Sequence, residues 1–165
     1  MSATTAAGTS AKWAVWGKKY TDQSQAEQGV EYEDVYIAKV AIAAKVIQRL
    51  KALVEASAYV GAWVIIAYSH CVEHGFDLKN GPHQQGKAVE TGYWPLFRFD
   101  PSKEKGKRFK LDSKAPQVPL NEFMYKETRF TRVVKENSEV GEALLKQAQE
   151  EVDSKWERLE LYRKM

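Results

Sequence analysis

The sequence predicts an α/β fold: a parallel βαβ unit, then an extended, proline-punctuated arm, then a long C-terminal helix. Three observations carry this. Val35-Tyr36-Ile37-Ala38-Lys39-Val40-Ala41-Ile42 is short and rich in β-branched residues, as a buried strand is. Trp63-Val64-Ile65-Ile66-Ala67-Tyr68 is a second such run and is nearly continuously apolar. Between the two runs, and again toward the C-terminus, apolar residues recur at the three- and four-residue steps of a helix.

Taken in order, residues 1–28 are small, polar and weakly patterned, which reads as a frayed or partner-dependent terminus with Trp13 and Trp16 as hydrophobic anchors. After the first strand a helix is predicted from Lys45 to Ala58, with Val46, Leu50, Leu53 and Val54 as its apolar stripe and Lys45, Gln48, Arg49, Lys51 and Glu55 off it. Gly61 closes that helix and the second strand follows. Strand, helix and strand joined by short turns imply parallel strands and a right-handed crossover. Ligands in such sheets gather beyond the carboxyl ends of the strands, where Ser69, His70 and Cys71 stand. A short helix over His83 to Tyr93, opened by Pro82, leads into Gly92-Tyr93-Trp94-Pro95-Leu96-Phe97-Arg98-Phe99-Asp100-Pro101. This tract and Leu111-Asp112-Ser113-Lys114-Ala115-Pro116 are read as arm rather than as strand or helix. In them Trp94 and Phe97 pack, Pro95 stiffens the chain, Arg98 pairs with Asp100, and Lys114 makes a surface ion pair. Ser102 to Arg108 is strongly charged and reads as a solvated loop. Asn137 or Ser138 then caps a final helix, with Glu139 and Glu142 near its positive end. Its stripe is Val140, Leu144, Ala148, Val152, Trp156 and Leu159. At roughly 26 residues it would be about 39 Å long, which suggests that one end docks elsewhere and that the chain forms a homo-oligomer. Two parts are expected, residues 1–101 and residues 102–165.

Composition bounds the partners. The chain has 165 residues, 44% hydrophobic and 28% charged, enough for one domain with a core. Its formal net charge of +3 is spread among acids rather than gathered in a run, so nucleic-acid binding is not indicated. Cys71 is the only cysteine, which excludes an internal disulfide and suits a reducing cytoplasm. No segment has the roughly 18 to 20 apolar residues of a membrane span, and the first residues lack the apolar stretch of a signal peptide. A cytoplasmic protein without membrane contact is expected.

Cys71 is the sharpest chemical candidate. By residue type alone, a lone cysteine after a buried strand is a small core residue. His70, Cys71, His74 and His83 form an alternative imidazole and thiolate metal site, although His-Cys-x-x-His has no standard zinc spacing. Neither a Gly-x-Ser-x-Gly, a phosphate loop nor a Gly-x-Gly-x-x-Gly is present, so no catalytic and no cofactor-binding residue is assigned.

The two tracts, with Ile66-Ala67-Tyr68-Ser69-His70-Cys71 and His74-Gly75 upstream, resemble the C-terminal part of pyruvate:ferredoxin (flavodoxin) oxidoreductase. Gln84, Gln85, Ala88, Val89 and Gly92 fit that family's Gln-Gln-x-x-Ala-Val-x-x-Gly stretch. Thr5, Gly8, Ala11, Lys12, Trp13, Ala14, Gly17, Lys18 and Lys19 fit a segment following its cofactor motif. The resemblance implies the end of a thiamine diphosphate-binding-type domain. It also implies oxidative decarboxylation of pyruvate to acetyl-CoA, with coenzyme A as the second substrate and electrons passing to ferredoxin or flavodoxin. Cys71 would then be the last of four thiolate ligands of a 4Fe-4S cluster. A four-iron cluster needs four thiolates or substitutes, so the other ligands must come from elsewhere. The Gly-Asp-Gly motif that holds thiamine diphosphate through magnesium is absent, so those cofactors and the remaining domains or subunits are implied for the whole enzyme only. The chain departs from the family at Ala43-Ala44 and at Gly61-Ala62-Trp63, as a diverged or truncated copy would. The competing expectation is a non-catalytic interaction module that retains the fold.

Overall fold

A computed structural model describes residues 25–164 of the chain. The matches and tryptophan anchors expected before residue 25 lie outside the described residues. The β-branched run forms β1 (Tyr36–Ala41), after a short α1 (Gln25–Val30), and all six β1 residues are buried. The helix α2 (Val46–Ala58) follows and returns the chain to β2 (Trp63–Tyr68). β1 and β2 are parallel with Tyr36 opposite Trp63 and Ala41 opposite Tyr68, so the predicted βαβ unit is present.

The sheet continues beyond that unit. β3 (Phe97–Phe99) runs antiparallel to β1, and β4 (Phe109–Leu111) antiparallel to β3, giving the order β2-β1-β3-β4. Part of the tract read as arm is therefore strand, and the charged segment at residues 102–108 is the exposed loop of its hairpin. Phe97-Arg98-Phe99 alternates as a strand does, sending Phe97 and Phe99 to one face and Arg98 to the other. On the phenylalanine side lie Ile37, Phe109 and Leu159; on the arginine side lie Ala38, Ala52 and Ala56.

Arg98 corrects two expectations. Its partner is Asp112 rather than Asp100, through Nε to Oδ2 at 2.8 Å and Nη2 to Oδ1 at 2.9 Å, while Nη1 donates to Glu55. Asp100 instead accepts from Ser102. The Tyr36 hydroxyl donates to Glu55 Oε2 at 3.0 Å, and Gln48 Nε2 donates to Asp112 Oδ2 at 3.0 Å and to the Lys39 carbonyl at 3.3 Å. The face that α2 buries is thus Gln48, Ala52 and Ala56, not the apolar stripe. Val46, Leu50, Leu53 and Val54 point outward, 48 to 66% exposed. β2, expected as a buried strand, is an edge strand with Trp63 and Val64 exposed.

Beyond the sheet, α3 (Gly81–Glu90) begins with Pro82 in its first turn, as expected, and α4 (Asn121–Met124) and α5 (Thr128–Glu136) precede α6 (Ser138–Tyr162). Asn137 caps α6, its Oδ1 accepting from the Val140 N–H at 3.1 Å. Of the α6 stripe, Leu144, Ala148, Val152 and Leu159 are buried by the chain itself, with Ala148 and Val152 against Leu96, Phe123 and Phe130, and Leu159 against Phe97, while Val140 and Trp156 stay partly exposed. Its length is absorbed because the stripe spans both clusters on that side of the sheet.

Lys39 lies on β1 among these clusters, 4% exposed, its ammonium 4.2 Å from the centre of the Trp94 ring. Burial, reinforced by Lys155 and opposed by Glu27, lowers it from 10.5 to about 7. The folded value lies below the unfolded one, so the unfolded chain binds the extra proton between these values and stability rises with pH across that window. Below the folded value the full cost of burying the charge is present. Lys39→Met is expected to remove this slope in urea denaturation and to stabilise the chain more at about pH 6 than at about pH 10. An unchanged pH dependence in the variant would contradict this.

Candidate functional site

β2 delivers the chain to Ser69, His70 and Cys71 at the carboxyl end of the parallel pair. Cys71 is exposed, not a core residue, and precedes a single 3-10 turn at Val72–His74 that ends on Gly75. Gly75 has φ +73°, and a Cβ there would lie 2.6 Å from Thr128 Cβ. Only glycine lets the turn close against α5 in this way. The Gly75 carbonyl accepts from the Thr128 N–H at 3.1 Å and from its hydroxyl at 2.6 Å.

The two flanks of Cys71 are held separately. On one side, Gln85 of α3 accepts from the Ala43 N–H at 2.7 Å and donates Nε2–H to His70 Nδ1 at 2.8 Å. The neutral ring therefore carries its proton on Nε2. One glutamine so links the carboxyl ends of β1 and β2 to α3. Gly81 supplies the space, since a Cβ there would sit 2.3 Å from the His70 ring.

On the other side His74 packs against Tyr68 and Phe76, and its Nδ1 is 3.8 Å from Glu127 Oε1. Burial, then Arg129 and His70, lower His74 to about 4, so near neutral pH it faces Glu127 as an uncharged ring. Glu127 is fully buried. Its carboxylate accepts from Gln84 Nε2 at 3.0 Å and from Arg129 Nε at 2.5 Å, and Arg129 reaches the Tyr68 hydroxyl at 3.4 Å. Burial raises Glu127, while Arg129 and Gln84 act to keep it ionised. Tyr68 contacts Trp94 at 5.2 Å between ring centres, and the Trp94 indole N–H donates to the Val40 carbonyl at 2.9 Å.

The structure brings His70, Cys71 and His74 onto one turn and leaves His83 exposed at the start of α3. Among the described residues no group of three or more His, Cys, Asp or Glu is gathered closely enough to hold a metal ion. The turn presents one exposed thiol on a backbone held at both flanks. Gln84, Gln85, Glu127 and Arg129 are the supports that spacing did not expose. Adjacent glutamines marked the first two, but their partners lie 15 to 43 residues away, and nothing local marked the other two.

Gln85→Leu would strand the Ala43 N–H and the His70 ring nitrogen, an expected cost of about 1 to 3 kcal/mol. Hydrogen exchange should quicken at residues 69–75 and stay unchanged in the β3–β4 hairpin. Uniform acceleration across both would show Gln85 to be a general core residue instead.

No family model matches the chain. It is 43% identical over 159 residues to a pyruvate-flavodoxin oxidoreductase of Trichormus variabilis, covering 95% of this chain and 13% of that protein. A pyruvate-flavodoxin oxidoreductase of Rhodospirillum rubrum is 42% identical over 94% of the chain. A pyruvate:ferredoxin oxidoreductase of Moorella thermoacetica is 39% identical over 98% of the chain, which spans 14% of its length. By sequence, then, the chain belongs with the pyruvate-flavodoxin and pyruvate:ferredoxin oxidoreductases, as the homologue of one segment of those much longer proteins.

Proposed function

We propose that the chain acts as the closing segment of a pyruvate-oxidising enzyme, at the end of its thiamine diphosphate domain, with Cys71 giving one thiolate to a 4Fe-4S cluster. The observation that carries this reading is the presentation of Cys71. Its thiol is exposed at the carboxyl end of a parallel strand, on a turn pinned to α3 through His70 and to α5 through Gly75. A ligand held on both flanks changes little when it binds, and such supporting contacts orient metal ligands. The other thiolates, the diphosphate and magnesium motifs, and the surfaces for coenzyme A, pyruvate and ferredoxin or flavodoxin belong to the rest of the enzyme. When bound, the cluster would supply one-electron transfer. The chain's own residues hold the thiol in place, keep the neighbouring imidazole of His74 uncharged, and back the turn with the buried Glu127–Arg129–Gln84 group.

The remainder of the Trichormus variabilis relative, expressed without the segment that matches this chain, is the partner for a test by anaerobic reconstitution. The Cys71→Ala complex is expected to lose about one four-iron cluster and its electron paramagnetic resonance signal, with the melting temperature of the chain alone unchanged. Equal iron and an equal signal in both complexes would overturn the assignment of Cys71.

A further inference from the structure

Three consecutive residues at the start of α5 each touch a different part of the chain around Cys71. Glu127 faces the His74 ring, its Oε1 3.8 Å from Nδ1. Thr128 donates to the Gly75 carbonyl through both its N–H and its hydroxyl. Arg129 reaches the Tyr68 hydroxyl. Tyr68 precedes Cys71 by three residues and His74 follows it by three, so these contacts bracket the cysteine along the chain. Charge distinguishes this cradle from the Gln85 contact on the other flank. Glu127 is 0% exposed, the Arg129 side chain 14%, and the two form an ion pair at 2.5 Å. The charged residues of the cysteine loop itself, Glu73, Asp77 and Lys79, are exposed, where water and salt screen them. A buried pair is screened far less. With both partners present it adds no net charge beside the turn. With one partner lost, a full charge stands in the interior with little water around it. The 3.8 Å separation from His74 is too long for a hydrogen bond, so the carboxylate is committed to Arg129 and to Gln84.

We propose that Glu127 and Arg129 together set the electrostatic surroundings of Cys71, so that the reduction potential of a cluster held by this thiolate depends on the balance of the two buried charges. The inference rests on the reading that Cys71 is a cluster ligand. Its sign follows from charge alone. Adding one electron to a thiolate-bound cluster adds one negative charge, so a positive side chain in a nearby low-dielectric region favours the reduced form and a negative one favours the oxidised form. Net charge and the groups supporting the ligands are among the factors that set such potentials. Arg129 alone would raise the potential, Glu127 alone would lower it, and the pair holds it between. Both are positioning residues, acting through the turn they touch.

The test uses the complex of the full chain with the remainder of the Trichormus variabilis relative, and reads the cluster's reduction potential in a redox titration followed by electron paramagnetic resonance. Glu127→Gln keeps the shape and an acceptor oxygen but removes the charge, and the potential is expected to rise. Glu127→Gln combined with Arg129→Met removes both charges. Its potential is expected to return to the parent value, although none of the pair's contacts is restored. Gln84 donates to Glu127 and to the Phe123 carbonyl. Gln84→Lys can make both bonds while adding one positive charge, so it too is expected to raise the potential, and it carries the test if melting of the chain alone shows Glu127→Gln to be unfolded. Thr128→Val removes the hydroxyl bond to Gly75 without changing charge. It is expected to quicken hydrogen exchange at residues 72–75 of the chain alone and to leave the potential where it was. A double variant displaced as far as the single ones, or a displacement by Thr128→Val equal to theirs, would make loosening rather than charge the cause and overturn the proposal. An unmoved potential in the single charge variants, with the cluster lost in Cys71→Ala, would overturn this inference and leave the ligand reading standing. A cluster that survives Cys71→Ala would overturn both.

Discussion

The guanidinium of Arg98 is the constraint around which the sheet and its covering helix are arranged. It is 4% exposed, on the strand that turns a parallel βαβ unit into a four-stranded mixed sheet, and it contacts Asp112 beyond β4 and Glu55 on α2. The two carboxylates raise its already high pKa further, chiefly through the Asp112 hydrogen bonds. Ala38 opposite it on β1 leaves the room a guanidinium needs. Breaking a buried pair costs about 3 to 5 kcal/mol, because the remaining charge has no water to turn to. That cost sets how α2 is rotated. Fully burying an aliphatic side chain is worth about 1.5 to 3 kcal/mol, so four half-exposed ones forgo a comparable total. The charge network and the apolar stripe of α2 therefore compete on nearly equal terms within the chain.

The same rotation positions the candidate site. With Gln48 and Glu55 turned inward, α2 holds β1 and β2 in register, and their carboxyl ends open toward α3 rather than toward α2. Gln85 then joins Ala43 to His70 across that opening, and α5 closes the far side of the turn through Thr128 and Gly75. The thiol of Cys71 owes its exposure to this arrangement. The imidazoles on its two flanks face Gln85 and Glu127, and the sulfur is exposed.

Much of the fold was legible from the chain. β1, β2 and the crossover follow from two β-branched runs on either side of a helical period, and α6 follows from a six-residue stripe behind an asparagine cap. Periodicity gives the existence of α2 but not its orientation, because the buried face of α2 is polar and alanine-rich and finds its reason only in Arg98, more than 40 residues away. β3 was hidden by its brevity and its flanking prolines, although Phe97-Arg98-Phe99 does alternate. The hairpin was likewise split by treating residues 102–108 as a boundary when they are its loop. At the site, the place of Cys71 after the second strand was readable. The buried carboxylate of Glu127, which lies behind it, was not, since Lys126-Glu127-Thr128-Arg129 looks like any solvated surface stretch.

The organising role of Arg98 is tested most directly by a double-mutant cycle between Arg98→Met and Asp112→Asn, read by urea denaturation. If the pair fixes the sheet face as described, the two changes are coupled by about 1.5 to 3 kcal/mol, within the range seen for residues in one network. Additivity within about 0.5 kcal/mol would mean that Arg98 and Asp112 contribute independently. The orientation of α2 would then have some other cause.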